Sequence, residues 1–162
     1  MNNASGAALV ATDAKPVVSY AINLPRPLKV DHAVSAAADA GFSRIIEPVS
    51  DGYPIPTMQV VRPYWDPDSY DAWADYDAET EKKIIITHEG ATISGAHKYT
   101  FEPRIPSARL TAVENPVEGP GAVGETIRFE LYKAASAPAG FTFTDPIQVY
   151  VKNAEATNLL SI

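Results

Sequence analysis

Prolines interrupt this chain at short intervals, and their spacing limits the secondary structure that the chain can form. Fourteen of the 162 residues are proline, or about 9%, compared with roughly 5% in an average protein. Proline has no backbone N–H and fixes its own φ angle, so it ends helices and interrupts central strands. The pattern therefore favours short strands joined by loops, and the length suits one domain.

Strand patterns recur along most of the chain. Residues 125–133 alternate most regularly, with Ile127, Phe129 and Leu131 on one face and polar side chains on the other. A turn is expected at residues 89–90. These patterns predict a mainly β fold. The other predicted strands are 17–24, 42–49, 57–62, 83–88, 92–104, 105–113 and 147–151.

Two short helices are predicted beside the strands. One covers about residues 31–41, where Asp31 can cap the first amides and Gly41 can end the helix. The other covers about residues 67–77, because Pro67 follows an aspartate and proline suits the first position of a helix. Residues 1–16 are small and polar, which indicates a flexible N-terminal arm. The remaining residues, 17–162, are predicted to form a single β-rich domain.

The chain is acidic, and its acidic residues are unevenly distributed. Thirteen lysines and arginines stand against 20 aspartates and glutamates, so the net charge is −7. That balance leaves room for only a small basic face of the kind that duplex-binding proteins carry. One run contains no base and indicates either a solvated helix face or a surface that repels anions. It consists of Asp66, Asp68, Asp71, Asp75, Asp77, Glu79 and Glu81.

The residue patterns that catalysis and metal binding require are missing. The absence of cysteine excludes disulfides, a thiolate nucleophile and cysteine-ligated metals. Neither a Gly-x-Ser-x-Gly elbow nor a phosphate-binding Gly-Lys-Ser/Thr loop occurs. His88 and His97 are expected to flank a hairpin turn, either as exposed strand residues or as two ligands of a metal site. We therefore expect no catalytic residue, no cofactor, no bound metal and no enzyme activity.

Targeting patterns are also missing. No stretch approaches the roughly 18 apolar residues that a membrane span needs. No basic residue precedes the apolar residues 7–11, as a secretory signal requires. We therefore expect no membrane partner, and use or assembly in a cytoplasm.

Five aromatic residues cluster in and beside the acidic run, and they admit two interpretations. They either anchor the predicted helix to a sheet or stack on sugars. The second interpretation makes the chain a carbohydrate-binding or adhesive β-domain. The residues are Tyr64, Trp65, Tyr70, Trp73 and Tyr76.

Four passages between Met58 and Asn153 follow one another in a characteristic order. The first is a strand followed by YWDPDSYDAWADY, and the second, KKIIITHEG, is a strand that ends in a polar turn. The third, KYTFEPRIPSARLTAVENPVEGPG, joins a long strand to a loop rich in glycine and proline. The fourth comprises closing strands at 125–131 and 146–153. Together these passages span about 96 of the 162 residues, and they resemble the phage major tail tube protein family.

This resemblance implies a fold and a function. The fold is a β-sandwich or partly closed barrel with one flanking helix. With the helices predicted from the residues, the expected fold has one or two short flanking helices, at about 31–41 and 67–77. The function is that of a structural subunit of a phage tail tube, in which hexameric rings stack around a DNA-conducting lumen. The partners are copies of the chain and other phage tail proteins, and DNA passes without specific binding. The location is the virion tail, after assembly in the host cytoplasm.

The resemblance also suggests candidate site residues. Residues 83–101 and the loop at 116–124 are expected at subunit or ring interfaces. The arm at 1–16 is expected to reach the next ring. Deleting residues 2–14 should then weaken stacking more than folding. The interface loop residues are Pro116, Val117, Glu118, Gly119, Pro120 and Gly121. The residues expected to face the lumen, where carboxylates repel DNA phosphates, are Glu102, Glu118, Glu125 and Glu130.

Two alternatives to a tail tube subunit stay open. The first is another virion component of related fold, such as a tail terminator, a connector or a decoration protein. The second is the carbohydrate-binding or adhesive β-domain suggested by the aromatic residues.

Overall fold

The computed structural model describes residues 1–26, 34–35, 44–45, 52, 54–117, 121 and 123–154. Within these residues there is one α-helix, α1 (Ala72–Asp77), and a short 3-10 turn at Ala11–Asp13. The prediction of a mainly β fold is confirmed. The strands are β1 (Asn2–Asn3), β2 (Ser19–Asn23), β3 (Val34–Ser35), β4 (Arg44–Ile45), β5 (Thr57–Arg62), β6 (Glu81–Ile85), β7 (His88–Ser94), β8 (His97–Glu114), β9 (Glu125–Tyr132) and β10 (Gln148–Lys152).

Strand β8 is the central strand of an antiparallel sheet that contains eight of these strands. The strand order is β1-β6-β8-β9-β5-β2, and β7 and β10 also pair with β8. The C-terminal half of β8 lies between β6 and β9, whereas its N-terminal half lies between β7 and β10. A separate two-stranded ladder joins β3 to β4.

The alternating segments place their apolar residues in one core, as the sequence predicts. Met58 and Val60 of β5 face inward beside Ile127 and Phe129 of β9, because the two strands pair in register and side chains alternate across a strand. Ala72 attaches α1 to the same core. The buried apolar residues of the cluster are Met58, Val60, Ala72, Ile84, Ile105, Ala108, Leu110, Val113, Ile127, Phe129 and Leu131.

The sheet is rolled so that strands far apart in its order touch through side chains. The hydroxyl of Tyr20 in β2 lies 2.7 Å from Nε2 of His88 in β7, and their ring centroids are 5.5 Å apart. No ladder hydrogen bonds join β2 to β7. The described sheet is therefore rolled without being a closed barrel.

The structure corrects both predicted helices. Val34–Ser35 pairs with Arg44–Ile45, and a ladder requires extended backbone, so the helix predicted at 31–41 is wrong at residues 34–35. The other residues of that prediction lie outside the described part of the chain.

The second helix begins five residues later than predicted, at Ala72. Residues 67–69 form a turn in which the Ser69 amide donates to the side chain of Asp66 over 3.3 Å. Asp71 is extended and caps α1, accepting a hydrogen bond of 3.1 Å from the Ala74 amide. The turn carries the ring of Tyr70 toward the guanidinium of Arg62, which explains why the helix does not begin at Pro67.

The hairpin turn also differs from the prediction. Glu89 and Gly90 lie inside β7, and the chain reverses at Gly95–Ala96 instead. Gly95 has a φ of 55°, which a two-residue hairpin turn requires and glycine adopts without strain.

A single strand replaces the two that were predicted at 92–104 and 105–113. Strand β8 runs through Pro106 because the pairing register with β6 shifts there: Lys82 pairs with Ala108, and Ile84 with Ile105. A bulge of this kind needs no N–H from the proline.

Residues 1–16 contact the sheet instead of projecting from it. Strand β1 pairs with β6, and the Ala4 amide donates to the carbonyl of Glu81 over 2.8 Å. The buried ammonium of Lys83 donates to the carbonyl of Gly6 over 2.7 Å. The segment therefore supplies hydrogen-bond partners to the interior.

A buried ion pair joins β5 to β9. Arg62 and Glu125 are register partners, and their oppositely charged side chains are 0% exposed. The ring of Tyr70 lies beneath both the guanidinium of Arg62 and the ammonium of Lys82. Burial is the largest cause that raises the pKa of Tyr70, so its hydroxyl stays protonated. The ammonium of Lys82 also forms a 2.6 Å ion pair with Asp75, which ties α1 to β6.

Replacing Glu79 with glycine is expected to stabilise the protein by about 1 kcal/mol. Glu79 follows α1 with a φ of 50°, a left-handed conformation that strains a residue with a Cβ. Its ion pair with Arg109 is exposed and contributes little. Thermal unfolding should show a melting temperature higher by roughly 2–4 °C. Glu79→Ala is the matched control, because it removes the carboxylate but keeps the Cβ. An equal gain in both variants would contradict the backbone explanation.

Candidate functional site

Three strand segments extend the sheet beyond the core, and we call them the ribbon. The ribbon consists of β7, residues 97–104 of β8, and β10. Every residue of β10 except Lys152 is exposed, and β7 is exposed throughout except at Ile93. The ribbon is therefore in contact with solvent on both of its faces.

One face of the ribbon is apolar. Val151 pairs with Phe101, so both side chains lie on the same face, and Tyr99 and Val149 follow at two-residue spacing. These four side chains remain between 44% and 58% exposed. Single exposed apolar residues are ordinary, but a contiguous group on one sheet face is typical of an interaction surface.

The opposite face of the ribbon is charged. The ammonium of Lys98 forms a 2.6 Å ion pair with Glu89 across β7 and β8. Arg104 forms an ion pair with Glu102 and lies over the ring of Tyr150, 4.8 Å from its centroid. The ribbon is thus amphipathic, as a sheet layer is when one face is to be covered.

The outer edges of the ribbon carry backbone groups that the sheet does not use. Both β7 and β10 pair with β8, and within the described residues no strand pairs with their other edges. Exposed edges of this kind can accept a strand from another chain. The alternation of Tyr99 and Phe101 with Lys98, Thr100 and Glu102 predicts a strand. It does not show that the apolar face of this strand is exposed, which only the structure reveals.

A second exposed surface lies around α1, and we call it the acidic–aromatic surface. Its apolar part does not pack against the core, contrary to the anchoring interpretation; Tyr70 alone of the five clustered aromatics packs against the core cluster. Trp73 and Tyr76 contact each other edge to face, with centroids 6.2 Å apart. The surface consists of Tyr64, Trp65, Trp73 and Tyr76, which are 38–47% exposed, and of Asp66, Asp68, Asp71 and Asp77.

The loop proposed as an interface is attached to this surface at both ends. Nε1 of Trp73 donates to the side chain of Asn115 over 2.8 Å, and the Trp65 amide donates to the carbonyl of Val123 over 2.7 Å. Pro116, Val117 and Gly121 are exposed, with Val117 at 74%. The candidates Glu118, Gly119 and Pro120 lie outside the described residues.

The structure separates the carboxylates that were expected to face a lumen. The expectation is wrong for Glu125, because this residue is 1% exposed and its side chain is paired with Arg62. Glu102 is partly buried on the charged face of the ribbon, and Glu130 accepts a hydrogen bond from the hydroxyl of Tyr132. This bond is the largest cause that raises the pKa of Tyr132. Glu118 lies outside the described part of the chain.

The histidines lie in different environments. His88 contacts Tyr20 and the ring of Phe101, whereas Nδ1 of His97 lies 3.4 Å from the ammonium of Lys152. Their register partners are Phe101 and Ser94, so the two imidazoles do not face each other. Among the described residues, no group of three or more His, Cys, Asp and Glu is arranged to hold a metal ion.

Comparison with protein-family models, with curated proteins and with solved structures finds no match to this chain. No helix among the described residues has both the length and the hydropathy to cross a membrane. The geometry of the two exposed surfaces is therefore the basis for a functional proposal.

Proposed function

We propose that the chain is a structural subunit of a phage tail tube, which assembles with copies of itself into stacked hexameric rings around a DNA-conducting lumen. In this proposal it acts in the virion tail after assembly in the host cytoplasm, has no catalytic role, and contacts other tail proteins. The proposal combines the resemblance of residues 58–153 to that family with the presence of surfaces that need a partner.

The observation that carries the proposal is the apolar face of the ribbon. Tyr99, Phe101, Val149 and Val151 are exposed together in a mainly β subunit, and no described strand pairs with the outer edges of its ribbon. Covering such a face removes apolar area from water, at about 25 cal/mol for each Å². Assembly with further copies satisfies both the face and the edges.

The net charge of −7 also supports a conduit for DNA. Basic residues in a lumen would bind phosphates and release counterions, which would hold the DNA. Of the proposed lumen residues, Glu102, Glu118 and Glu130 remain candidates after Glu125 is assigned to the interior.

The test is assembly of the purified chain, followed by negative-stain electron microscopy and light scattering. We expect hollow rings or stacked tubes, with a particle mass at least six times the 17.4 kDa of the subunit. The double variant Phe101→Ser and Val151→Ser should remain monomeric, because it makes the apolar face polar.

A matched control is the double variant Leu24→Ser and Ile55→Ser. Both residues are exposed and apolar but lie outside the ribbon, so this variant should assemble like the native chain. Circular dichroism checks that both variants fold. A native chain that stays monomeric at high concentration, or a ribbon variant that assembles normally, would contradict the proposal. Rings that form but never stack would favour a terminator, connector or decoration protein.

The exposed aromatics favour a carbohydrate-binding or adhesive domain as the second candidate. Trp65 and Trp73 are both more than 40% exposed, and exposed aromatic rings suit stacking on sugars. Binding to a glycan panel that is lost in Trp65→Ala or Trp73→Ala would support this function.

A further inference from the structure

The ribbon and the acidic–aromatic surface lie at opposite ends of β8. Phe101 is near the start of this strand, whereas Asn115, the partner of Trp73, follows its last residue. A strand rises about 3.3 Å per residue, so the two sites are separated by about 45 Å along the strand. The ribbon of one subunit therefore cannot cover the acidic–aromatic surface of the same subunit.

The two surfaces differ in charge. Residues 64–79 contain six acidic residues and no base, which leaves a net charge of −1 for the rest of the chain. Asp75 and Glu79 form ion pairs with Lys82 and Arg109. The ion pairs found within the described residues involve none of the other four: Asp66, Asp68, Asp71 and Asp77.

The ribbon has an excess of basic groups. Its bases outnumber its acids by three to two, and two histidines add to this balance when they are protonated. The ammonium of Lys98 is about half exposed, and Lys152 lies on the outer strand, β10. The ribbon residues that carry charge are Lys98, Arg104, Lys152, Glu89 and Glu102.

We propose that the charged face of the ribbon of one copy packs on the acidic–aromatic surface of the next copy, so that copies join head to tail. This inference rests on the self-assembly in the proposed function and names the receiving surface. Lys98 and Lys152 lie on this face, on the side opposite Phe101 and Val151, together with Tyr150, which is 39% exposed. The opposite charges favour this pairing over others.

The same charges disfavour one symmetric alternative. An isologous dimer centred on the acidic–aromatic surface would place two such surfaces against each other. Two acidic–aromatic surfaces would oppose four aspartates with four more, and like charges in an interface are unfavourable by several kcal/mol. A head-to-tail contact between unlike surfaces has no such cost, and it generates rings or open stacks.

The test is a charge exchange between the two surfaces. Variant A carries Lys98→Glu and Lys152→Glu on the ribbon, and variant B carries Asp68→Lys and Asp77→Lys on the acidic–aromatic surface. None of these residues is buried, and Asp71 is left intact because it caps α1. Each variant alone should need on the order of tenfold more protein to assemble than the native chain, because like charges then meet.

Mixing variants A and B should restore assembly. In an alternating arrangement, the acidic ribbon of A meets the lysines of B, and the native ribbon of B meets the native aspartates of A. Light scattering of each variant and of an equimolar mixture measures this, with circular dichroism as the control for folding. Assembly of the mixture at native concentrations, without assembly of either variant by itself, supports the head-to-tail contact.

Three outcomes would overturn the inference. The first is assembly of A and B alone at native concentrations, and the second is failure of their mixture. If the native chain assembles, either result contradicts the role of the acidic–aromatic surface as the receiving surface. It does not contradict the proposed function. The third is a folded native monomer whose acidic–aromatic surface binds glycans, which removes the proposed function as well.

Discussion

Replacing Arg62 with alanine is expected to lower the free energy of unfolding by about 3–5 kcal/mol, because it leaves the carboxylate of Glu125 buried without its partner. Both side chains are 0% exposed, so water cannot replace the guanidinium without opening the interface between β5 and β9. The loss corresponds to a melting temperature lower by roughly 10 °C. Urea unfolding followed by tryptophan fluorescence measures it.

The matched control removes both charges at once. In the double variant Arg62→Met and Glu125→Leu, no buried charge is left unpaired, and such replacements are often neutral or stabilising. We expect this variant to stay within about 1 kcal/mol of the native chain. If the single and double variants lose the same stability, packing of the Arg62 side chain, and not its charge, is the cause.

Deleting residues 2–14 is expected to destabilise the protein by about 3 kcal/mol, since it removes partners of two buried ammonium groups. Lys83 loses the carbonyl of Gly6, and Lys82 loses the side chain of Asn3, which it contacts over 2.5 Å. The pairing of β1 with β6 is lost as well. This result would reverse the expectation from the sequence, which placed the main effect on stacking.

The control keeps the segment and removes one contact. Asn3→Ala is expected to lose only about 1 kcal/mol, the contribution of one hydrogen bond. Urea unfolding of the deleted chain, the Asn3→Ala variant and the native chain gives the comparison. A deleted chain as stable as the native one, with weaker stacking of its rings, would restore the interpretation as an arm.

Local alternation predicted the parts of the fold that depend on it. Residues 57–62 and 125–132 form strands whose inward faces are apolar, because a period of two places alternate side chains on the core. The helix at 67–77 was predicted too long, since Asp66 and Pro67 form a good helix start locally. The packing of Tyr70 beneath Arg62 is a tertiary contact, and it overrides that local preference.

Pairing between distant residues explains what the sequence did not predict at the candidate site. Alternation places Glu125 on the inward face of β9 with Ile127 and Phe129. It does not reveal the partner that compensates a buried carboxylate, because Arg62 lies 63 positions away. Pro106 suggested a strand boundary, but the register shift against β6 accommodates it. The interface function of residues 116–121 stays a prediction. The residues that flank this loop, Asn115 and Val123, accept hydrogen bonds from Trp73 and Trp65.

The length of β8 also has a mechanical consequence. Interstrand hydrogen bonds in an antiparallel ladder lie perpendicular to the strands, and β8 is bonded on both edges by four neighbouring strands. A force along β8 therefore loads many bonds in parallel as shear, whereas peeling would break them one after another. Tension that enters the protein at one end of β8 leaves at the other end without passing through a loop.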